Sequence, residues 1–399
     1  MELIATAAAD WAELPPELLQ KISEKLNLLI DHIRFRAVCV NWRLAAACTL
    51  SHLPCQLPWL ILPQSRAAGE GRRGFFNLSA NKVHFLNVPE ASHRRRLCGS
   101  SHGWLVILDE SPAMILLNPL NRAKLNLPPL SSFPSVVDFN FYNVGREYSL
   151  GTPNGDVDTR NLKDMRDSFI KKVILSSNPS NDNGYTAVAI LNQTGDIAFC
   201  KNGDQSWRFI EQAQSYCEDA MFWGGLLHAV NKFGEIAVCD IVGPSPRVSF
   251  IDTPRQVGGD MQYLVSSMGE LLLVTRYLDF EFNDHQLDIV YRTVQFQVYR
   301  LEMSGPKWEG VTSLGDQVLF LGENSSLALS SLDFPGCKGN CIYYTDDYSE
   351  SNYDDIPGDH DLGIYSLEDG TIEPLPCYPR NSHSRLRWPP PIWITPNAC

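Results

Sequence analysis

The sequence predicts a mainly β protein with a small N-terminal α domain: three short helices in residues 1–50, then a β-propeller of about five to six blades. Three observations carry this expectation. Leu14, Leu18, Ile22 and Leu26 recur every four residues, the spacing that lines side chains along one face of a helix. Near residue 55 this period gives way to short strand candidates separated by Gly, Asn, Asp and Pro. The body then repeats itself. "TGDIAFC" at 194–200, "FGEIAVC" at 233–239 and "MGELLLV" at 268–274 share a glycine, an acid and an apolar run, with their glycines 39 and then 35 residues apart. Repetition near 40 residues with several strands per unit is the pattern of propeller blades, whereas a β-sandwich needs no such period.

The helical region opens with "LPPELLQKISEKL" from Leu14. Pro15 and Pro16 suit a first turn, where their missing N–H donors cost nothing, and Glu17 sits at the positive end of the helix dipole. Asp31 and Asn41 are candidate caps for the second and third helices. "NLLIDHIR" between the first two is more apolar than a connecting loop needs. In "IRFRAVCVNWR", residues 33–43, Ile33, Ala37, Val38, Cys39 and Trp42 recur at three- and four-residue steps. A module this short buries too little surface to offset its chain entropy comfortably, so its apolar face calls for a partner.

The expected boundaries are residues 1–50 for the helical domain, 51–74 for a linker with a possible closing strand, and 75–399 for the propeller. Ahead of the three glycine turns stand the strand candidates "YTAVAIL", "GGLLHAV" and "MQYLVSS", and Trp207 and Trp308 occupy comparable late positions. "PWLILP" at 58–63 and "PPIWITP" at 390–396 are candidate strands whose pairing closes the ring and protects its edges. Residues 143–184 fit the repeat poorly and read as an insertion or an irregular blade.

Composition narrows the function. A hydrophobic fraction of 44% with 20% charge describes a folded globular chain, and a net charge of −13 argues against nucleic acid or an anionic membrane as a partner. Residues 1–50 hold five basic and six acidic residues, so the acidity belongs to the body. No stretch is long and apolar enough to span a bilayer, and the start lacks the features of a secretory signal, so a cytoplasmic or nuclear location is expected. The 11 cysteines are then reduced thiols packed as small hydrophobes, and Cys337 with Cys341 lacks a second pair to complete a zinc site. The nine histidines are scattered, "GDHD" at 358–361 reads as a solvated loop, and "HRRR" at 93–96 as solvated surface charge. Trp104, Trp207, Trp223 and Trp308 read as propeller packing, and Trp388 and Trp393 as candidates to face solvent. No catalytic, cofactor or metal constellation is expected, and the protein reads as a non-enzyme.

Leu14, Pro15, Leu18, Leu19, Ile22, Leu26, Val38, Cys39, Trp42 and Arg43 stand at the spacing of the F-box, which residues 14–43 resemble. The body resembles the kelch-like, F-box-associated domain of a large plant family in "GSSHGWLVILDE", "FIKKVILSSNP", "YLVSSMGELLLVTR", "SLGDQVLFLGENSS" and "GNCIYYTDD". These resemblances imply a substrate receptor of an SCF-type ubiquitin ligase. They imply that Leu14, Pro15, Leu18, Leu19, Ile22, Leu26, Val38, Cys39 and Trp42 bind a Skp-type adaptor, which leads to cullin and RING subunits. The propeller is then expected to hold a protein target whose binding residues are unknown. The alternative is a propeller enzyme or small-ligand binder whose helices serve only as a structural cap.

Overall fold

The computed structural model describes residues 11–26, 29–46, 56–63, 71–92, 94–152, 154–181, 183–192, 194–255, 258–282, 289–334, 336–348, 360–377 and 389–397. The chain forms two compact units, residues 1–56 with 396–399, and residues 57–395. His52, His93, His285 and Trp388 lie outside the described residues.

The first unit holds α1 (Pro16–Ser23), α2 (Leu29–Arg36) and α3 (Val40–Ala45). Pro16 opens α1 and Glu17 stands in its first turn, as the chemistry of helix starts requires. The other two expected caps do other work. Asp31 lies inside α2 and pairs with Arg34 at 3.1 Å, while Cys39 occupies the N-cap position of α3 and Asn41 Nδ2 donates to the Ala12 carbonyl at 3.2 Å. "NLLIDHIR" is apolar because α2 begins at Leu29, whose side chain is buried.

In the second unit the described strands form seven sheets. Six are blades. Blade 2 runs through Arg96–Ser101, Trp104–Leu108, Met114–Leu117 and Lys124–Leu127. Blade 3 runs through Ile170–Leu175, Thr186–Leu191, Ile197–Lys201 and Arg208–Phe209. Blade 4 has Asp219–Trp223, Leu226–Val230, Ile236–Asp240 and Arg247–Ile251, and blade 5 has Met261–Ser267, Glu270–Phe282, Ile289–Glu302 and Lys307–Val311. Blade 6 departs from the antiparallel pattern. Its Gln317–Leu321 strand pairs in parallel with Cys341–Tyr344, and Leu327–Ser330 takes the edge.

The seventh sheet is an insertion that overlaps the stretch 143–184 expected to be irregular but starts earlier, at Val136, and ends before Ile170–Leu175, which is a regular blade strand. It has three strands, Val136–Phe139, Tyr148–Gly151 and Val157–Arg160, and is followed by a helix, Leu162–Ser168, that Asn161 caps through the Asp164 N–H. Blade 3 begins directly afterwards, with its first strand against that of blade 2, so the insertion does not interrupt the ring.

The glycine repeat is real but shifts phase. Gly195 and Gly234, with φ of 67° and 75°, turn between the second and third strands of blades 3 and 4. Gly269, with φ of 83°, turns between the first and second strands of blade 5, which accounts for the shorter spacing of the third copy. Trp207 and Trp308 do occupy equivalent places near the fourth strands of blades 3 and 5. Their indoles donate to the Pro128 and Gly234 carbonyls, at 3.0 and 2.8 Å, and so tie each blade to residues before it.

Blade 1 closes the ring with both ends of the propeller chain. Its strands are Ile392–Ile394, Trp59–Ile61, Arg72–Asn77 and Lys82–Asn87 in that order, with Trp59 opposite Ile394 and Ile61 opposite Ile392. Residues 59–61 therefore supply the second strand of blade 1. Alternation sends Trp393 one way and Ile392 and Ile394 the other. Trp393 packs edge-on to Phe320 of blade 6 at 5.3 Å, and the isoleucines join Leu97 and Leu105 of blade 2. Trp393 is thus a buried core residue rather than a solvent-facing one. Replacing it with Ala is expected to cost about 3–5 kcal/mol. Removing residues 390–399 should lower the melting temperature further or produce aggregates, and an unchanged melt of the truncated protein would show that closure does not depend on this strand.

Candidate functional site

The centre of the propeller is the first place to look for chemistry. The edge strands Ile392–Ile394, Arg96–Ser101 and Ile170–Leu175 lie against one another, as do Asp219–Trp223, Met261–Ser267 and Leu327–Ser330. The strands that meet in this way encircle the centre, and they bury charge. Lys172 of blade 3 meets Asp219 of blade 4 at 2.7 Å, and the other Asp219 oxygen accepts from the Leu264 N–H of blade 5 at 3.0 Å and from Ser326 of blade 6 at 3.3 Å. Arg96 of blade 2 is buried rather than solvated surface charge as expected: it pairs with Glu323 at 2.8 Å and also donates to the Asp167 carbonyl.

Arg276 of blade 5 is fully buried and reaches Asp347 and Asp361, both at 2.9 Å, with Tyr263 at 3.1 Å and Thr293 at 2.7 Å. His360 and Asp361, of the stretch expected to be a solvated loop, are buried instead. Burial pushes the Glu323 and Asp347 carboxyls above their ordinary range against the pull of Arg96 and Arg276. Asp346 is held below its ordinary value: burial acts upward, but His360 at 3.1 Å and Tyr291 outweigh it. Each of these groups already spends its hydrogen bonds on another blade or on a neighbouring loop, an arrangement that joins blades. Among the described residues no group of three or more His, Cys, Asp or Glu is placed to hold a metal ion.

The described cysteines are all free, and burial pushes the thiols of Cys98, Cys200, Cys239 and Cys377 up to about 12. These are inert packing groups.

The helical unit presents a different surface. Its core is small: Leu19, Phe35 and Ala46 are buried, with Leu14, Leu26, Trp42 and Ala45 packed against them. The Phe35 and Trp42 rings lie 4.5 Å apart, and the Trp42 indole donates to the Trp11 carbonyl at 2.9 Å. Seven other large apolar side chains, Trp11, Leu18, Ile22, Ile33, Val38, Val40 and Leu44, are between 40% and 67% exposed. Leu18 and Ile22 form one four-residue stripe on α1, and Val40 and Leu44 another on α3. Exposed apolar side chains at this density make the unit a candidate interaction surface.

The nine residues expected to bind an adaptor therefore divide by position. Leu19 is wholly internal, and Leu14, Leu26 and Trp42 brace it. Pro15, Leu18, Ile22 and Val38 face outward, and Cys39 is half-buried at the start of α3. The sequence reading did not single out Trp11, Val40 or Leu44. Val40 and Leu44 had a legible signal in their four-residue spacing, whereas Trp11 lies before the helical stripe begins.

Comparison with known proteins places these features. Residues 75–366 match the family model described as the KIB1-4 β-propeller. The chain belongs to that family. The kelch-like resemblance of the body is thereby assigned to a specific propeller class. F-box protein SKIP23 of Arabidopsis thaliana is 30% identical, over 98% of this chain and 96% of its own length. F-box protein At2g17036 of the same plant is 27% identical over 97% and 95%. Both relatives thus match the helical unit together with the propeller. Among the described residues no helix is long and apolar enough to cross a membrane.

The central ion pairs generate a stability prediction. Removing one partner of a buried pair strands the other charge, at a cost of about 3–5 kcal/mol. Asp219→Ala, which abandons Lys172 and the Leu264 N–H together, should lower the urea midpoint sharply, whereas Arg247→Ala, which breaks the exposed pair with Asp240, should shift it by less than about 1 kcal/mol. Equal shifts would remove the central pairs from any special role.

Proposed function

We propose that this chain is the substrate receptor of an SCF-type ubiquitin ligase and is not itself an enzyme. Its helical unit docks on a Skp-type adaptor, which connects it to cullin and RING subunits, and its propeller holds a protein target near the ubiquitin-transfer machinery. The observation that carries this reading is the set of seven exposed apolar side chains, among the described residues, around a small buried cluster of Leu19, Phe35 and Ala46, in a chain whose full-length relatives are named F-box proteins. Holding a target beside an enzyme raises its effective concentration there without any chemistry by the receptor. The packed, inert thiols support a reducing compartment, cytoplasmic or nuclear.

Within the adaptor-binding set, the outward Pro15, Leu18, Ile22 and Val38 make the contact, joined by Val40 and Leu44, while Leu14, Leu19, Leu26, Cys39 and Trp42 hold the helices in position. Replacing an interface hot spot commonly costs about 2 kcal/mol, or some thirtyfold in affinity. Ile22→Asp combined with Leu44→Asp is expected to abolish recovery of the adaptor in a pull-down while leaving the melting temperature unchanged. Undiminished recovery would sink the assignment.

The reading as a whole is tested by turnover. A chain lacking residues 1–56 should keep its target yet protect it from degradation when expressed beside the intact protein. If the shortened chain speeds degradation as well as the full one, the helical unit is not the connection to the ligase.

A further inference from the structure

Five lysine or arginine side chains are buried among the described residues: Arg73, Arg96, Arg166, Lys172 and Arg276. Four of them have a carboxylate within hydrogen-bond distance, Arg96 with Glu323, Arg166 with Asp167, Lys172 with Asp219, and Arg276 with Asp347 and Asp361. Arg73 is the exception. Its side chain is 1% exposed, and its Nε, Nη1 and Nη2 make no hydrogen bond. Burial lowers its pKa to about 10, with no neighbouring charge contributing, so the group stays protonated at neutral pH. Withdrawing an ion from water without a partner costs several kcal/mol. A guanidinium also offers five donors in a planar fork that matches an oxyanion.

Arg73 is buried where blade 1 packs on blade 2, on a face that is otherwise apolar. Arg73 lies in the Arg72–Asn77 strand of blade 1, opposite Leu86 and two residues after the turn at Gly71, whose carbonyl accepts from the Val88 N–H at 2.6 Å. Alternation places it on the same strand face as Phe75, which packs with Leu97 and Leu105 of blade 2. Two more guanidiniums converge on the segment that follows Leu86. Arg122 donates to the Asn87 carbonyl at 2.5 Å and to Glu90 at 2.9 Å, and Arg95 donates to the Pro89 carbonyl at 3.3 Å while pairing with Asp109 at 2.9 Å. The seam between blades 1 and 2 thus gathers three arginines, two of them already matched by acids.

We propose that Arg73 anchors an oxyanion site at the seam between blades 1 and 2, taking a small phosphate-class anion through paired N–H donors. The site is independent of the adaptor surface and of the receptor reading. Arg72, next to it at the start of the same strand, is exposed, so solvent lies one residue from the buried guanidinium.

The test uses the full chain and inorganic phosphate, with potassium chloride at matched ionic strength as the reference. Phosphate at about ten times its Kd should raise the melting temperature by roughly 2 °C over chloride. Arg73→Met should abolish that phosphate-specific rise and, having lost an unpaired charge, should melt no lower than the natural chain in chloride. Arg73→Lys keeps the charge without the fork, so it should fold even if the Met variant does not and should show a smaller rise. Identical melting in phosphate and chloride, or an undiminished rise in the substituted chains, overturns the proposal.

Discussion

The propeller depends on one three-residue ladder. Ile392–Ile394 comes from the far end of the chain and pairs with Trp59–Ile61, so blade 1 is built from segments more than 300 residues apart. Closing so long a loop costs entropy that rises only with the logarithm of its length, and the ladder's reward is concentrated in side chains that serve two neighbours at once. Trp393 enters the core shared with blade 6, and Ile392 and Ile394 enter the core shared with blade 2. Without that strand two blade cores lose part of their packing and an edge is left unpaired.

Around this closure the blades are joined by charge as well as by apolar packing. Asp219 alone answers groups from blades 3, 5 and 6, and Arg276 draws together residues on either side of the segment between Asp347 and Asp361. Buried ion pairs of this kind are costly to assemble and more costly to break, because each partner has been stripped of water. Arg73 stands outside this system, with the same desolvation and no compensating acid among the described residues.

The helical unit follows a different economy. A small cluster of buried side chains and a few that brace it hold α1, α2 and α3 together, while seven large apolar groups among the described residues are left in water. A core of that size is marginal for independent folding, and binding a partner stabilises the folded form by mass action. In the proposed receptor role, stability and recognition are therefore linked in this unit. In that role Leu19 acts on recognition through the positions of its neighbours, and Leu18 and Ile22 through direct contact.

Much of this was legible in the sequence by itself. Period determined the two regions: four-residue steps from Leu14 to Leu26 make a helix, and apolar runs between turns make strands. The near-40-residue repeat determined the propeller, and the apolar ends of the body determined its closing pair. Tertiary structure decided the rest, because periodicity says which residues share a face but not what that face meets. It placed Leu19 inside and Leu18 outside on the same helix, and put Gly269 one strand out of phase with Gly195 and Gly234. It brought Lys172 to Asp219, 47 residues apart, and left Arg73 without an acid. A charge in a linear sequence carries no mark of whether it will be solvated, paired or stranded; only packing removes the water that makes the difference.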